Sequence, residues 1–196
     1  MSLRILAITL FVAISAARIY PIYKQCNGAW GNQILGTGHD TICHSGCLIS
    51  SVAMALSGIG NTYDPSTINT WLKGHSGFAS GDLFVWGSVN PLGLSYSGLI
   101  SNSNIASNLA SNNIVIINVL NGGHWVLATS MNGNTIYVND PGKSTASYTL
   151  SSIVPNNSRV YRVIGRNLGV MIDELEIVLN VNGRKDKMME ANEGKI

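Results

Sequence analysis

Three residues in this chain have the types and surroundings that nucleophilic catalysis needs: Cys47, His124 and Asp140. Cys47 follows Ser45-Gly46, and the stretch from Cys47 to Leu56 lacks internal Gly and Pro, which predicts a mostly apolar helix closed by Gly58. A thiol in the first turn of a helix faces unsatisfied N–H groups and the positive end of the dipole, both of which favour thiolate. The same N–H groups can donate to an oxyanion formed where the sulfur attacks. His124 follows Gly122-Gly123 and opens a strand with Val126 and Ala128 on its face, at the lip of a sheet, where a general base for the thiol would sit. Asn132-Gly133 marks a hairpin turn, and pairing about it sets Thr129 near Thr135 and His124 near Asp140. An acid there would hold the tautomer and orientation of the imidazole. Each residue also has a plain structural use: a buried small hydrophobe, a satisfied histidine, and an Asx turn ahead of Pro141. The last of these is compatible with the orienting role.

The remaining cysteines and histidines have other uses. Cys26, Cys43 and Cys47 cannot all pair within one chain, so one thiol is left over. Cys43 lies in the loop before the Cys47 helix, free to point elsewhere, and the expected bridge is Cys26–Cys43. Closing a loop of that size contributes roughly 3 kcal/mol in the chain-entropy model. His39, His44 and His75 sit in Gly-, Ser- and Thr-rich loops and are expected in solvent. His39, Cys43, His44 and Cys47 share a metal-ligand vocabulary, but their spacing matches none of the usual paired zinc patterns, so no metal and no cofactor is expected.

The elements that must position these groups lie in a charge-poor body. The 196 residues are 11% charged, against roughly 25% in an average soluble chain, with a net charge of +2. That charge leaves no basic footprint for a phosphate backbone, so nucleic acid is not an expected partner. Met1 to Arg4, the apolar run Ile5–Ile14 and the small residues Ser15-Ala16-Ala17 read as a secretory signal peptide (residues 1–17) cleaved after Ala17. The apolar run is too short to span ~30 Å of hydrocarbon, so no membrane contact is expected after cleavage. The expected location is outside the cell or in the lumen of a secretory or lysosome-like compartment, where cysteines can pair. Half of the 22 charged residues fall after residue 165, which divides the chain into a body (residues 18–165) and a charged tail (residues 166–196) to which we assign no chemistry.

Within the body, helices come first and strands later. Asp64-Pro65 is an N-cap followed by Pro at the first helical position, opening a helix through Leu72. Ser80 or Asp82 is expected to cap another short helix ending before Asn90-Pro91, and a further one is expected around Ser103–Ser111. Ile114 to Leu120 is β-branched and continuous, the mark of a central strand. Strands at His124–Thr129, Thr135–Asn139 and Arg159–Ile164 complete an antiparallel sheet and an α+β domain.

The body resembles a papain-like cysteine peptidase of the bacteriocin-processing (double-glycine leader) peptidase-like family, in a secreted stand-alone form. The matching stretches are Tyr23 to Gly31, Ser45 to Met54, Gly123 to Thr129 and Val138 to Gly142, in that order. The resemblance implies a nucleophile helix packed on a C-terminal antiparallel sheet, with Cys47 as nucleophile, His124 as base then acid, and Asp140 as orienter. It alone implies Gln25 as oxyanion donor. The family often carries Asp-Pro where this chain has Asn27-Gly28, a departure in the early loop. The expected partner is a peptide or protein substrate; oligomeric state and cleavage-site preference are not legible. A cell-wall peptide amidase, a transpeptidase and a catalytically silent peptide-binding module share this residue set and are separated only by products or by thiol labelling.

Overall fold

The computed structural model describes residues 18–164; the expected signal peptide and the whole of the charged tail lie outside them. Its helices are α1 (Ile42–Ser45), α2 (Cys47–Gly58), α3 (Pro65–Gly74) and α4 (Ile105–Ala110). Its strands are β1 (Phe78–Ala79), β2 (Leu83–Phe84), β3 (Leu94–Ile100), β4 (Ile114–Val119), β5 (His124–Asn132), β6 (Thr135–Asn139), β7 (Ser147–Thr149) and β8 (Ser158–Val163). Strands β3 to β8 form one antiparallel sheet in the order β3-β8-β4-β5-β6-β7. The architecture is α+β and papain-like.

Helix α2 is the axis of the fold. Every residue from Ile49 to Leu56 is buried, as expected for a helix that is apolar all round and covered on all sides. It packs on β5 and β4 and is backed by α3. Ile114, Ile116, Leu127 and Tyr161 meet α2 from that face of the sheet. On the opposite face, Val115, Ile117, Val126, Ala128, Val138 and Val160 form a second core with Ile105 of α4. Both faces of β4 are therefore covered, and all six of its residues are buried, which explains its continuous β-branched sequence.

The segment 78–92 departs from expectation. Instead of a helix capped by Ser80 or Asp82, it forms a hairpin of β1 and β2 followed by a 3-10 helix over Trp86–Leu92. Ser80 and Gly81 both take positive φ, 48° and 93°, so they turn the chain rather than start a helix. The tighter 3-10 winding carries Pro91 inside it. Strands β3 and β7, unmarked in the sequence reading, extend the sheet at its two edges.

The β5–β6 hairpin also differs from the simple count. Strand β5 runs on to Asn132, which pairs with Thr135, and Ser130 pairs with Tyr137. Thr129 then stands as an extra residue, after which Ala128 pairs with Val138 and Leu127 with Asn139. Asp140 thus falls beside Val126 rather than His124. A displacement of two leaves the side chain on the same face, and His124 becomes its diagonal neighbour. Without the bulge, Asp140 would fall beside Leu127 and point to the other side of the sheet.

Candidate active site

Cys47 is the first residue of α2, half-buried and unpaired. Thr41 caps α1 and Asp64 caps α3 with their side chains, the latter in a reciprocal capping box with Thr67. At α2 the N-cap is Gly46 and no side chain caps it. A Cβ on Gly46 would lie 2.4 Å from the Ile42 carbonyl oxygen, so the close passage of α1 into α2 requires glycine there. Cys47 therefore sits at an uncapped helix N-terminus, whose first-turn N–H groups have no intrahelical acceptor.

One turn further along α2, the Ser51 hydroxyl donates to the Trp125 carbonyl at 3.3 Å. Ser51 shares a helix face with Cys47, and Trp125 follows His124, so this bond ties the start of β5 to the start of α2. His124 is 7% exposed. Its Nε2 donates to Asp140 Oδ1 at 2.7 Å, which leaves Nδ1 without the carboxylate, and Cys47 is the other side chain that acts on the imidazole. Burial disfavours the charged imidazole. Hydrogen bonding and electrostatic attraction from Asp140, and then from Cys47, outweigh burial and raise the His124 pKa to about 9.

Asp140 is 2% exposed and fully engaged. Besides His124, its Oδ1 accepts the backbone N–H groups of Gly142 at 2.9 Å and Lys143 at 2.8 Å, and its Oδ2 accepts the Tyr148 hydroxyl at 2.8 Å. Burial alone would raise its pKa. The donors from His124, Tyr148 and Lys143 overcome that and hold the carboxyl below the ordinary value. For Tyr148, burial and then the carboxylate it serves push the phenol up to about 12. The Asx turn and the imidazole contact coexist in one side chain.

Gln25 is 8% exposed and joins the same cluster. Its backbone N–H donates to the Pro141 carbonyl at 2.9 Å, and its Nε2 donates to the Cys43 carbonyl at 2.6 Å. Lys24 reinforces the seam through its Nζ, which donates to the Asp140 carbonyl at 2.7 Å. Cys26 and Cys43 are joined in a disulfide. The other histidines are exposed: His39 lies in its loop, His44 pairs with Asp40 at 3.1 Å, and His75 stacks on Trp71 with ring centroids 4.1 Å apart. Among the described residues no three His, Cys, Asp or Glu side chains converge as metal ligands.

Two members of the cluster escaped the sequence reading. Tyr148 lies on β7, a strand with no clear sequence mark. Gly142 entered only as the end of a stretch that matches the family, yet a Cβ there would lie 2.8 Å from His124 Cε1 and 3.1 Å from Gln25 Oε1. The Asp140-Pro141-Gly142 run was the available signal for it.

A thiol at a helix N-terminus, an imidazole bonded to a buried carboxylate, and a buried carboxamide from the N-terminal loop now stand together. The sequence profile of the Peptidase_C39-like family matches residues 19–167, most of the chain. The chain belongs to this family. It is a cysteine-type peptidase. Two solved structures are similar to it. One is a putative C39-like peptidase from Bacillus anthracis, 14% identical over 73% of this chain and 94% of that one, with a TM-score of 0.49. The other is a double glycine motif protease from an AMS/PCAT transporter in complex with the leader peptide, 15% identical over 76% of this chain and 96% of that one, with a TM-score of 0.49. No curated protein matches the chain.

Proposed function

We propose that this Peptidase_C39-like chain is a secreted thiol-dependent hydrolase that cleaves peptide bonds through Cys47, His124 and Asp140, with Gln25 as an oxyanion donor. The observation that supports it most is the His124 imidazole, bonded through Nε2 to a buried carboxylate and close enough to Cys47 for that side chain to raise its pKa. In this reading the Cys47 sulfur attacks the scissile carbonyl carbon, and the carbonyl π pair moves onto oxygen. The Cys47 backbone N–H and Gln25 Nε2 hold that oxyanion. Collapse re-forms the carbonyl and expels the amine, which takes the His124 proton. His124 then removes a proton from water, whose oxygen attacks the thioester and releases the acid and the thiol. The substrate class is a peptide, as in the leader-bound double glycine motif protease.

A panel of fluorogenic peptides, including sequences ending in Gly-Gly, together with a muropeptide and an added amine, separates peptidase from amidase and transpeptidase by product mass. Cys47→Ala is expected to abolish turnover with the fold intact. Wild-type turnover in that variant overturns the reading, and a Cys47 that iodoacetamide leaves unlabelled favours a silent binding module. Intact mass of the secreted protein after iodoacetamide, without reduction, tests cleavage after Ala17 and counts one bridge and one thiol.

A further inference from the structure

The contacts of Gln25 divide into two sets with different jobs. Its backbone is fixed by the Gln25 N–H to Pro141 bond, and Lys24 adds its own bond to Asp140. Its side-chain amide is oriented by one bond alone, Nε2–H to the Cys43 carbonyl, while Oε1 is buried with no partner. An amide nitrogen has two N–H groups, and a carbonyl acceptor can take only an N–H. The Cys43 carbonyl therefore forbids the flipped amide and fixes where the second N–H points. Helix α1 carries that carbonyl, and the neighbouring bridge ties it covalently to the chain beside Gln25. Cys26 is the residue after Gln25, its sulfur is bonded to Cys43, and that sulfur lies 3.3 Å from the Cys43 carbonyl oxygen.

We infer that the Cys26–Cys43 disulfide positions the Gln25 carboxamide, so that turnover requires this bridge oxidised while the Cys47 thiol, four residues on, stays reduced. The inference rests on the oxyanion role proposed for Gln25. With the bridge opened, the Cys43 N–H to Gly31 bond of 2.9 Å still docks α1 on the early loop. The loss is therefore local: the tie that keeps the Cys43 carbonyl against the Gln25 amide is gone, and the amide can then turn its oxygen toward the oxyanion, which opposes the developing charge. A dithiol such as dithiothreitol supplies the two electrons and two protons that convert the bridge to two thiols, and itself closes to a cyclic disulfide. Cys26 is exposed, so the bridge is accessible to such a reagent.

The test is a dithiothreitol titration of the whole protein, with cysteines mapped by alkylation and mass spectrometry at each point, against kcat and KM on a peptide it cleaves. The expected result is a fall in kcat of about 10- to 100-fold, in step with loss of the bridge. KM, near-UV circular dichroism and the rate of Cys47 alkylation should stay level. Gln25→Ala should lose activity while oxidised and then be indifferent to the reductant, and the Cys26→Ser/Cys43→Ser pair should match the reduced enzyme. Constant kcat across reduction overturns the inference. So does a fall accompanied by loss of the near-UV signal, or an equal fall in Gln25→Ala, since either makes the bridge a general staple. If oxidised Gln25→Ala is as active as wild type, it is the oxyanion role that fails.

Discussion

Replacing Asp140 by Asn isolates what the carboxylate's charge does, because its hydrogen-bond geometry survives almost whole. Oδ1 accepts from His124, Gly142 and Lys143, and the Asn carbonyl can keep that position. The Asn amide then replaces Oδ2, where the Tyr148 hydroxyl can rotate from donor to acceptor. The charge is what changes. His124 stands at about 9 against an ordinary 6.5, a net gain for the charged ring of roughly 3 kcal/mol at about 1.4 kcal/mol per pH unit. Burial opposes this gain, and Asp140 is the first of the groups whose hydrogen bonding and charge sustain it. In Asp140→Asn the His124 pKa should fall by at least about one unit. If imidazolium is the working form, the basic limb of kcat/KM, expected near pH 9 in the wild type, moves down with it. Proton-detected NMR titration of the ring and the pH–rate profile should report the same displacement. A basic limb that stays in place in Asp140→Asn refutes the charge argument. The sign carries over to stability. The raised His124 pKa stabilises the fold fully below about 6.5, and that share is lost as pH rises through about 9. The lowered Asp140 pKa contributes above its ordinary value of 3.8, a share lost as pH falls through the folded pKa.

Three further substitutions follow from the same contacts. Gly142→Ala places a methyl 2.8 Å from the His124 ring; kcat should fall by about 10²-fold through displacement of the imidazole, with KM and the melting temperature changing far less. Tyr148→Phe removes a donor to a buried carboxylate, so chemical denaturation should show a loss of about 1.5–3 kcal/mol and NMR a raised Asp140 pKa. Asp64→Ala removes the capping box of α3; it should cost about 1 kcal/mol of stability with kcat/KM unchanged, a control for effects that pass through folding alone.

The parts of the fold that rest on local chemistry were legible in the sequence. The Cys47 helix, the Asp64-Pro65 start of α3 and the β-branched β4 all follow from caps, glycines and periodicity. Segment 78–92 was misread because Ser and Asp serve turns as readily as caps, and the positive φ of Ser80 decides between them. The closeness of His124 and Asp140 was anticipated from a hairpin count whose register was off by two, and it survived because an even displacement preserves the face. Tyr148 reaches the site only through sheet order, which places β7 beside β6. The Cys43 carbonyl that orients Gln25 is a main-chain atom, to which sequence gives no signal.

Thr129 carries a consequence for how such a chain can change length. Losing one residue between Val126 and Val138 within the paired segments would turn the carboxylate toward the α2 side of the sheet, away from the imidazole. Adding or removing residues at the exposed tip around Gly133 would leave the pairing below it untouched. Insertions are therefore tolerable at the end of the hairpin, whereas its shaft accepts only compensated pairs of changes, an odd–even rule written into the backbone rather than into any catalytic side chain.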